Sequence, residues 1–160
     1  MASEVIIIMG SKSDLPHAQA IAKTLKELAI SHQMRVCSAH KNTLGLLAML
    51  QAYEQREGPL IYIGIAGRSN ALSAVIDANT RHPVISCPPY SDRFGGADIF
   101  SSLRLPSGIA TPTILEPEGA ALLAAKMLAM NDEALQKRLA AYKERLVDEI
   151  KQADEEIQRS

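Results

Sequence analysis

The chain predicts an α/β fold of the flavodoxin-like kind. This is a five-stranded parallel sheet in the order 2-1-3-4-5, layered between helices, with a long C-terminal helix. Three observations predict it. Val5-Ile6-Ile7-Ile8-Met9 is an unbroken apolar run, the mark of a strand covered by helices on both faces. Further apolar, β-branched runs alternate with stretches of helical periodicity, as repeated βα units require. Polar and glycine-bearing residues collect where strands give way to helices, the edge at which open α/β sheets bind ligands.

The elements follow in order. The first strand, Val5 to Met9, breaks at Gly10-Ser11-Lys12-Ser13-Asp14. A helix follows with Ser13 or Asp14 as N-cap and Pro16 in its first turn, where a missing N–H costs nothing. Ala18, Ile21, Ala22, Leu25 and Leu28 form its inner face. Gln33 to Cys37 is the second strand, and Ser38-Ala39-His40-Lys41 interrupts it. From Asn42 the spacing of Leu46, Leu47, Met49, Leu50 and Tyr53 predicts a helix to about Glu57. Leu60 to Ile65 is the third strand, Ala66-Gly67-Arg68-Ser69-Asn70 the third junction, and Leu72 to Ala78 a short apolar helix. Pro83 to Cys87 is the fourth strand, stopped by Pro88-Pro89. Between Tyr90 and Gly108 only a brief helical turn near 98–103 is legible. Ile109 to Leu115 is the fifth strand, tolerating Pro112 only at an edge or bulge. Glu116 to Met130 is an Ala/Leu helix with an acidic start, as the helix dipole prefers. The last helix runs from Asp132 to the terminus.

With 160 residues, 47% of them apolar, residues 1–160 read as one domain with a core of about 1–130. Seventeen basic against 18 acidic residues leave a net charge of −1. No field draws nucleic acid or an anionic membrane, so an anionic ligand must be held by a local site. No run approaches the ~20 apolar residues of a membrane span. Val5 to Met9 is too short for a signal peptide and lacks a basic flank, so the expected location is cytoplasmic. Cys37 and Cys87 lie in apolar runs and read as buried reduced thiols. In the last helix Leu135, Leu139, Tyr142, Leu146, Ile150, Ala153 and Ile157 form a coiled-coil-like stripe ~40 Å long at 1.5 Å per residue. The core cannot easily cover so long a stripe, so residues 132–159 are expected to pack on a neighbouring subunit of a homo-oligomer.

The predicted order sets strand 1 between strands 2 and 3, so three polar loops converge. His40 is the best candidate proton carrier, since an imidazole titrates near neutral pH. Ser11, Ser13, Lys12 and the backbone N–H groups of the first loop read either as a phosphate cradle or as helix capping. Asp14 would repel a phosphate and suits ribose hydroxyls or a ring amine. Gly67, Arg68, Ser69 and Asn70 read either as a guanidinium-based anion site or as a surface arginine with an asparagine cap. Lys41 reaches the same anion or lies in solvent. His17 and His32 read as surface residues and His82 as a loop residue. No ligand set accompanies His40 at zinc spacing, there is no Walker pattern, and no Gly-x-Ser-x-Gly elbow occurs. The residues alone therefore point to a small α/β protein that binds a phosphorylated metabolite.

Met9-Gly10-Ser11-Lys12-Ser13-Asp14, Ser38-Ala39-His40 and Val84-Ile85-Ser86-Cys87-Pro88-Pro89 resemble the aminoimidazole ribonucleotide (AIR) carboxylase and mutase family of purine biosynthesis. The mutase class typically reads Ser-Ala-His-Arg-Thr-Pro and carries a second histidine in its third junction. Here Lys41-Asn42-Thr43 follows His40, Gly67-Arg68-Ser69-Asn70 forms that junction, and Ala71 stands at the second histidine. Ser101-Ser102-Leu103-Arg104-Leu105-Pro106-Ser107-Gly108 resembles the carboxylase class known from the animal bifunctional enzyme. The resemblance thus implies carboxylation of AIR by CO2 without ATP, biotin or metal, in a homo-octamer or alternatively a tetramer. It implies His40 as general acid/base. Ser11, Ser13 and Lys41 or Arg68 would hold the phosphate and Asp14 the ribose. Ser38, Gly67, Ser69 and Asn70 would line the pocket for base and carboxylate. The alternatives are the mutase, which rearranges N5-carboxyaminoimidazole ribonucleotide, and a non-catalytic nucleotide-binding domain.

Overall fold

A computed structural model describes residues 3–159. In β1 (Glu4–Met9), Val5, Ile7 and Met9 enter one core while Ile6 and Ile8 enter another, and all five are at most 2% exposed. Such burial contributes roughly 1.5–3 kcal/mol per aliphatic side chain, which is why this run becomes the central strand. β3 (Leu60–Ile65) repeats the pattern, with Ile61, Ile63 and Ile65 on the first face and Leu60 and Tyr62 on the second. β2 (Ser31–Val36) and β4 (Val84–Ser86) flank them, all parallel, in the order β2-β1-β3-β4. The first face is covered by α1 (Leu15–Glu27), α5 (Pro117–Ala129) and the start of α6 (Glu133–Gln158). The second is covered by α2 (Thr43–Glu54) and α3 (Leu72–Asp77). The result is the flavodoxin-like sandwich, with β1 at the point where the chain reverses its direction across the sheet.

Two expectations need correction. The fifth strand is reduced to one bridge, Thr113 beside Ser86, made by Ser86 N–H to the Pro112 carbonyl and Ile114 N–H to the Ser86 carbonyl, each 2.9 Å. Pro112 has no N–H to extend a ladder, and Gly108 at φ +87° turns the chain just before it. The segment still runs along the outer edge of β4, where the fifth strand was expected. The helical stripe of α6 is also split. Leu135, Leu139 and Tyr142 are buried against their own chain. Arg138 Nε donates to the Leu28 carbonyl at 2.8 Å, and Tyr142 Oη donates to the Glu118 carboxylate. Beyond Tyr142 the apolar residues are exposed: Leu146 is 39%, Val147 52% and Ile150 73% exposed.

Cys37 and Cys87 are both free and buried. Among the described residues no helix is long and apolar enough to cross a membrane.

Candidate active site

The loops that follow β1, β2 and β3 leave the carboxyl edge of the sheet side by side. Cys37 N–H donates to the Met9 carbonyl and Gly10 N–H to the Ile65 carbonyl, both at 2.8 Å. These bonds carry the ladder one residue past the strands and fix the start of each loop. Between them lies a cleft of about 570 Å³.

The first loop contributes Ser11, Ser13 and Asp14. Its conformation is a capping box on a short 3-10 turn, Lys12–Asp14. Ser11 Oγ accepts from Ser13 N–H at 3.2 Å, and Asp14 Oδ2 accepts from Ser11 N–H at 3.0 Å. Side-chain capping thus falls to Ser11, with Asp14 reaching back, while Asp14 occupies the cap position of α1 without a side-chain cap bond of its own. Burial raises the Asp14 pKa, opposed by the Ser11 N–H bond and the nearby His17. Lys12 is exposed and does not line the cleft.

The second loop contributes Ser38, His40 and Lys41. Asn42 N–H donates to the Ser38 carbonyl at 2.9 Å, and Lys41 N–H donates to Ser38 Oγ at 3.2 Å. Asn42 caps α2 by accepting from Gly45 N–H at 3.2 Å. The turn is therefore tight around buried Ala39 and presents His40 outward, exposed, at the cleft. Among the described residues nothing hydrogen-bonds its ring, which leaves both nitrogens to a ligand.

The third loop contributes Gly67 and Arg68. Arg68 is left-handed, φ +59°, and its N–H donates to Asp98 Oδ2 at 3.2 Å. Ser69 and Asn70, expected in the pocket, do not line it. Ser69 is exposed. Asn70 is 4% exposed, and its amide is consumed inside the protein. Nδ2 donates to Ser86 Oγ at 2.8 Å and to Ser102 Oγ at 3.0 Å, and Oδ1 accepts from Ser73 N–H at 3.3 Å.

Sequence reasoning missed Leu72, Pro89 and Asp98, which also line the cleft. Asp98 sits in the segment that carried no periodicity, where a 3-10 stretch (Arg93–Ile99) is interrupted by left-handed Phe94, Gly95 and Gly96 before α4 (Phe100–Leu103). The signal that could have found it is the Gly95-Gly96 pair, since glycine reaches positive φ without strain. The three histidines read as peripheral are each partly buried. His17 Nε2 lies 3.3 Å from Cys87 Sγ, and burial lowers its pKa, opposed by Asp14. His32 Nδ1 lies 3.1 Å from the Ile30 carbonyl. The His82 side chain is 12% exposed, 3.8 Å from Glu54. Among the described residues no three His, Cys, Asp or Glu side chains cluster as a metal site would need.

The cleft therefore gathers the exposed imidazole of His40, the cationic residues Lys41 and Arg68, and the two serines of a capped turn around a space of about 570 Å³. A family profile described as AIR carboxylase matches residues 4–149. A phosphoribosylaminoimidazole carboxylase of Archaeoglobus fulgidus is 48% identical over 154 residues, covering 96% of this chain and 84% of the relative. A protein of the same name from Treponema denticola is 46% identical over 155 residues, covering 97% and 98%. The crystal structure of Treponema denticola PurE superposes with a TM-score of 0.94 at 45% identity, over 96% of this chain and 98% of that one. With motif, fold and length all in agreement, the chain belongs to the AIR carboxylase family.

Proposed function

We propose that this chain carboxylates 5-aminoimidazole ribonucleotide with CO2, giving 4-carboxy-5-aminoimidazole ribonucleotide in purine (IMP) biosynthesis, with His40 as general acid/base. The observation that carries this reading is the placement of His40 alone, outward-facing and unengaged, between the phosphate-binding type of turn at Ser11–Asp14 and the Gly67-Arg68 loop.

The aminoimidazole is an enamine, so its ring carbon C4 attacks the carbon of CO2. A carbon–carbon bond forms while one C=O electron pair moves onto oxygen. C4 is then tetrahedral, and its proton passes to His40 as the ring electrons return to aromatic conjugation. In reverse His40 returns that proton to C4 and CO2 leaves, which is lyase chemistry. Holding the two reactants together supplies much of the acceleration through entropy surrendered on binding. Ser11, Ser13 and the N–H groups of their turn, with Lys41 or Arg68, hold the phosphate. Asp14 accepts from the ribose hydroxyls, and Ser38 and Gly67 face the base and the new carboxylate.

The mutase shares the fold and His40 but not the third junction. Ala71 stands where that class has its second histidine, and among the described residues His40 is the only histidine lining the cleft. The carboxylase is therefore the better reading. The exposed Leu146, Val147 and Ile150 on α6 favour a homo-oligomer, an octamer by family habit, in which this half of the helix packs on a neighbour. A cytoplasmic location suits the substrates.

His40→Ala should lower kcat by about 10²–10⁴-fold, the range for loss of a general acid/base. AIR binding by calorimetry should persist. Turnover near that of the parent would refute the assignment.

A further inference from the structure

We infer that Asp98 is a positioning residue: it holds Arg68, which lines the cleft, in its left-handed backbone conformation. The ligand in this inference rests on the carboxylase reading, but the geometry does not.

Arg68 has φ +59°, a conformation that a residue bearing a Cβ adopts at an energetic cost and keeps only where its surroundings impose it. Glycine would fit without strain, and Gly67 stands one residue before, so the strained position carries a guanidinium instead. The chain after Arg68 is pinned independently. Asn70 N–H donates to Ser101 Oγ at 2.9 Å, and the Asn70 amide is locked to Ser86, Ser102 and Ser73. Arg68 itself is held by less. Ser101 Oγ lies 3.3 Å from the Arg68 carbonyl, but its single hydrogen has a nearer acceptor in the Asp98 carbonyl at 2.7 Å. The firm contact is Arg68 N–H to Asp98 Oδ2 at 3.2 Å, a charge-assisted bond.

The same bond explains a carboxylate in a cleft meant for anions. Asp98 lines that cleft, where an unengaged negative charge would oppose a phosphate or carboxylate ligand. Accepting from a backbone N–H spends part of that charge and converts it into a brace. Its position comes from the three left-handed residues Phe94, Gly95 and Gly96, which turn residues 98–102 back over the loop after β3. Sequence distance hides the pairing, since 30 residues separate Asp98 from Arg68.

The test compares D98A, which removes the acceptor, with D98N, which keeps an oxygen and removes the charge. Limited trypsin digestion followed by mass spectrometry reads the loop without any ligand, through the fragment ending at Arg68. Steady-state kinetics with AIR and CO2 reads its consequence, and thermal midpoints confirm that each variant is folded. D98A should release that fragment faster. It should also raise the KM for AIR about tenfold, as expected for losing most of one charge-assisted hydrogen bond, with kcat little changed. D98N should return both readings toward the parent. Unchanged cleavage and KM in D98A would overturn the inference. So would a D98N variant with normal cleavage but the KM of D98A, because the charge would then act on the ligand directly. If the parent protein does not turn over AIR with CO2, the carboxylase reading fails, while the digestion still decides whether Asp98 holds the loop.

Discussion

Asn70→Ala should cost stability rather than substrate affinity. The side chain is 4% exposed and makes three hydrogen bonds, to Ser86 Oγ, Ser102 Oγ and the Ser73 N–H. At about 1 kcal/mol net each, their loss amounts to about 3 kcal/mol. The orphaned Ser73 N–H, in a residue 2% exposed, keeps the cost from relaxing away. For a chain of this size about 1 kcal/mol moves Tm by 2–4 °C, so the expected drop is about 6–12 °C. The assay is thermal unfolding by circular dichroism at one fixed protein concentration, because subunit association would otherwise move the midpoint. Ser69→Ala, at an exposed neighbour, serves as the control and should leave Tm unchanged. An Asn70→Ala variant within about 2 °C of the parent would refute the brace. If such a variant had instead lost affinity for AIR, the amide would face the ligand, as its place in the motif suggested.

Two further outcomes follow from buried acids. Burial first, and the Glu116 charge second, push the Cys87 thiol up to about 12. At pH 8 about one molecule in ten thousand carries the thiolate, so Ellman's reagent should label Cys87 no faster than the protein unfolds. Rapid labelling under native conditions would contradict its placement. The Tyr142 phenol is also held up at about 12, chiefly by its hydrogen bond to the Glu118 carboxylate, and Tyr62 at about 12, chiefly by burial. A raised acid keeps its proton in the fold, so this contribution is complete below the ordinary value of about 10 and lost as pH climbs through 12. Urea midpoints should fall across that window, and Tyr142→Phe should shallow the fall.

Much of the fold was legible because it rests on local pattern. The apolar run at Val5–Met9 announced a strand covered on both faces, and the inner face of α1 followed from three- and four-residue spacing. The three converging loops, with His40 in the second, followed from the predicted strand order. What stayed hidden depends on contacts far apart in sequence. The motif made Asn70 a pocket residue, and only its partners Ser86 and Ser102 reveal it as a brace. Asp98 lay in a stretch without periodicity, because left-handed residues rather than side-chain spacing shape the chain there. The fifth strand failed for a local reason that was visible in advance: Pro112 lacks the N–H that a ladder needs. The α6 stripe had the right period, but period alone does not say where the chain's own core ends and the exposed half begins.

The most direct test of the central claim is a paired turnover assay on purified protein. One arm supplies AIR with CO2, and the other supplies N5-carboxyaminoimidazole ribonucleotide with CO2 removed. The carboxylase account predicts 4-carboxy-5-aminoimidazole ribonucleotide in the first arm and none above background in the second. Efficient turnover in the second arm would contradict it: the protein would then be a mutase, and Lys41 and the Gly67-Arg68-Ser69-Asn70 junction would not set the carboxyl donor.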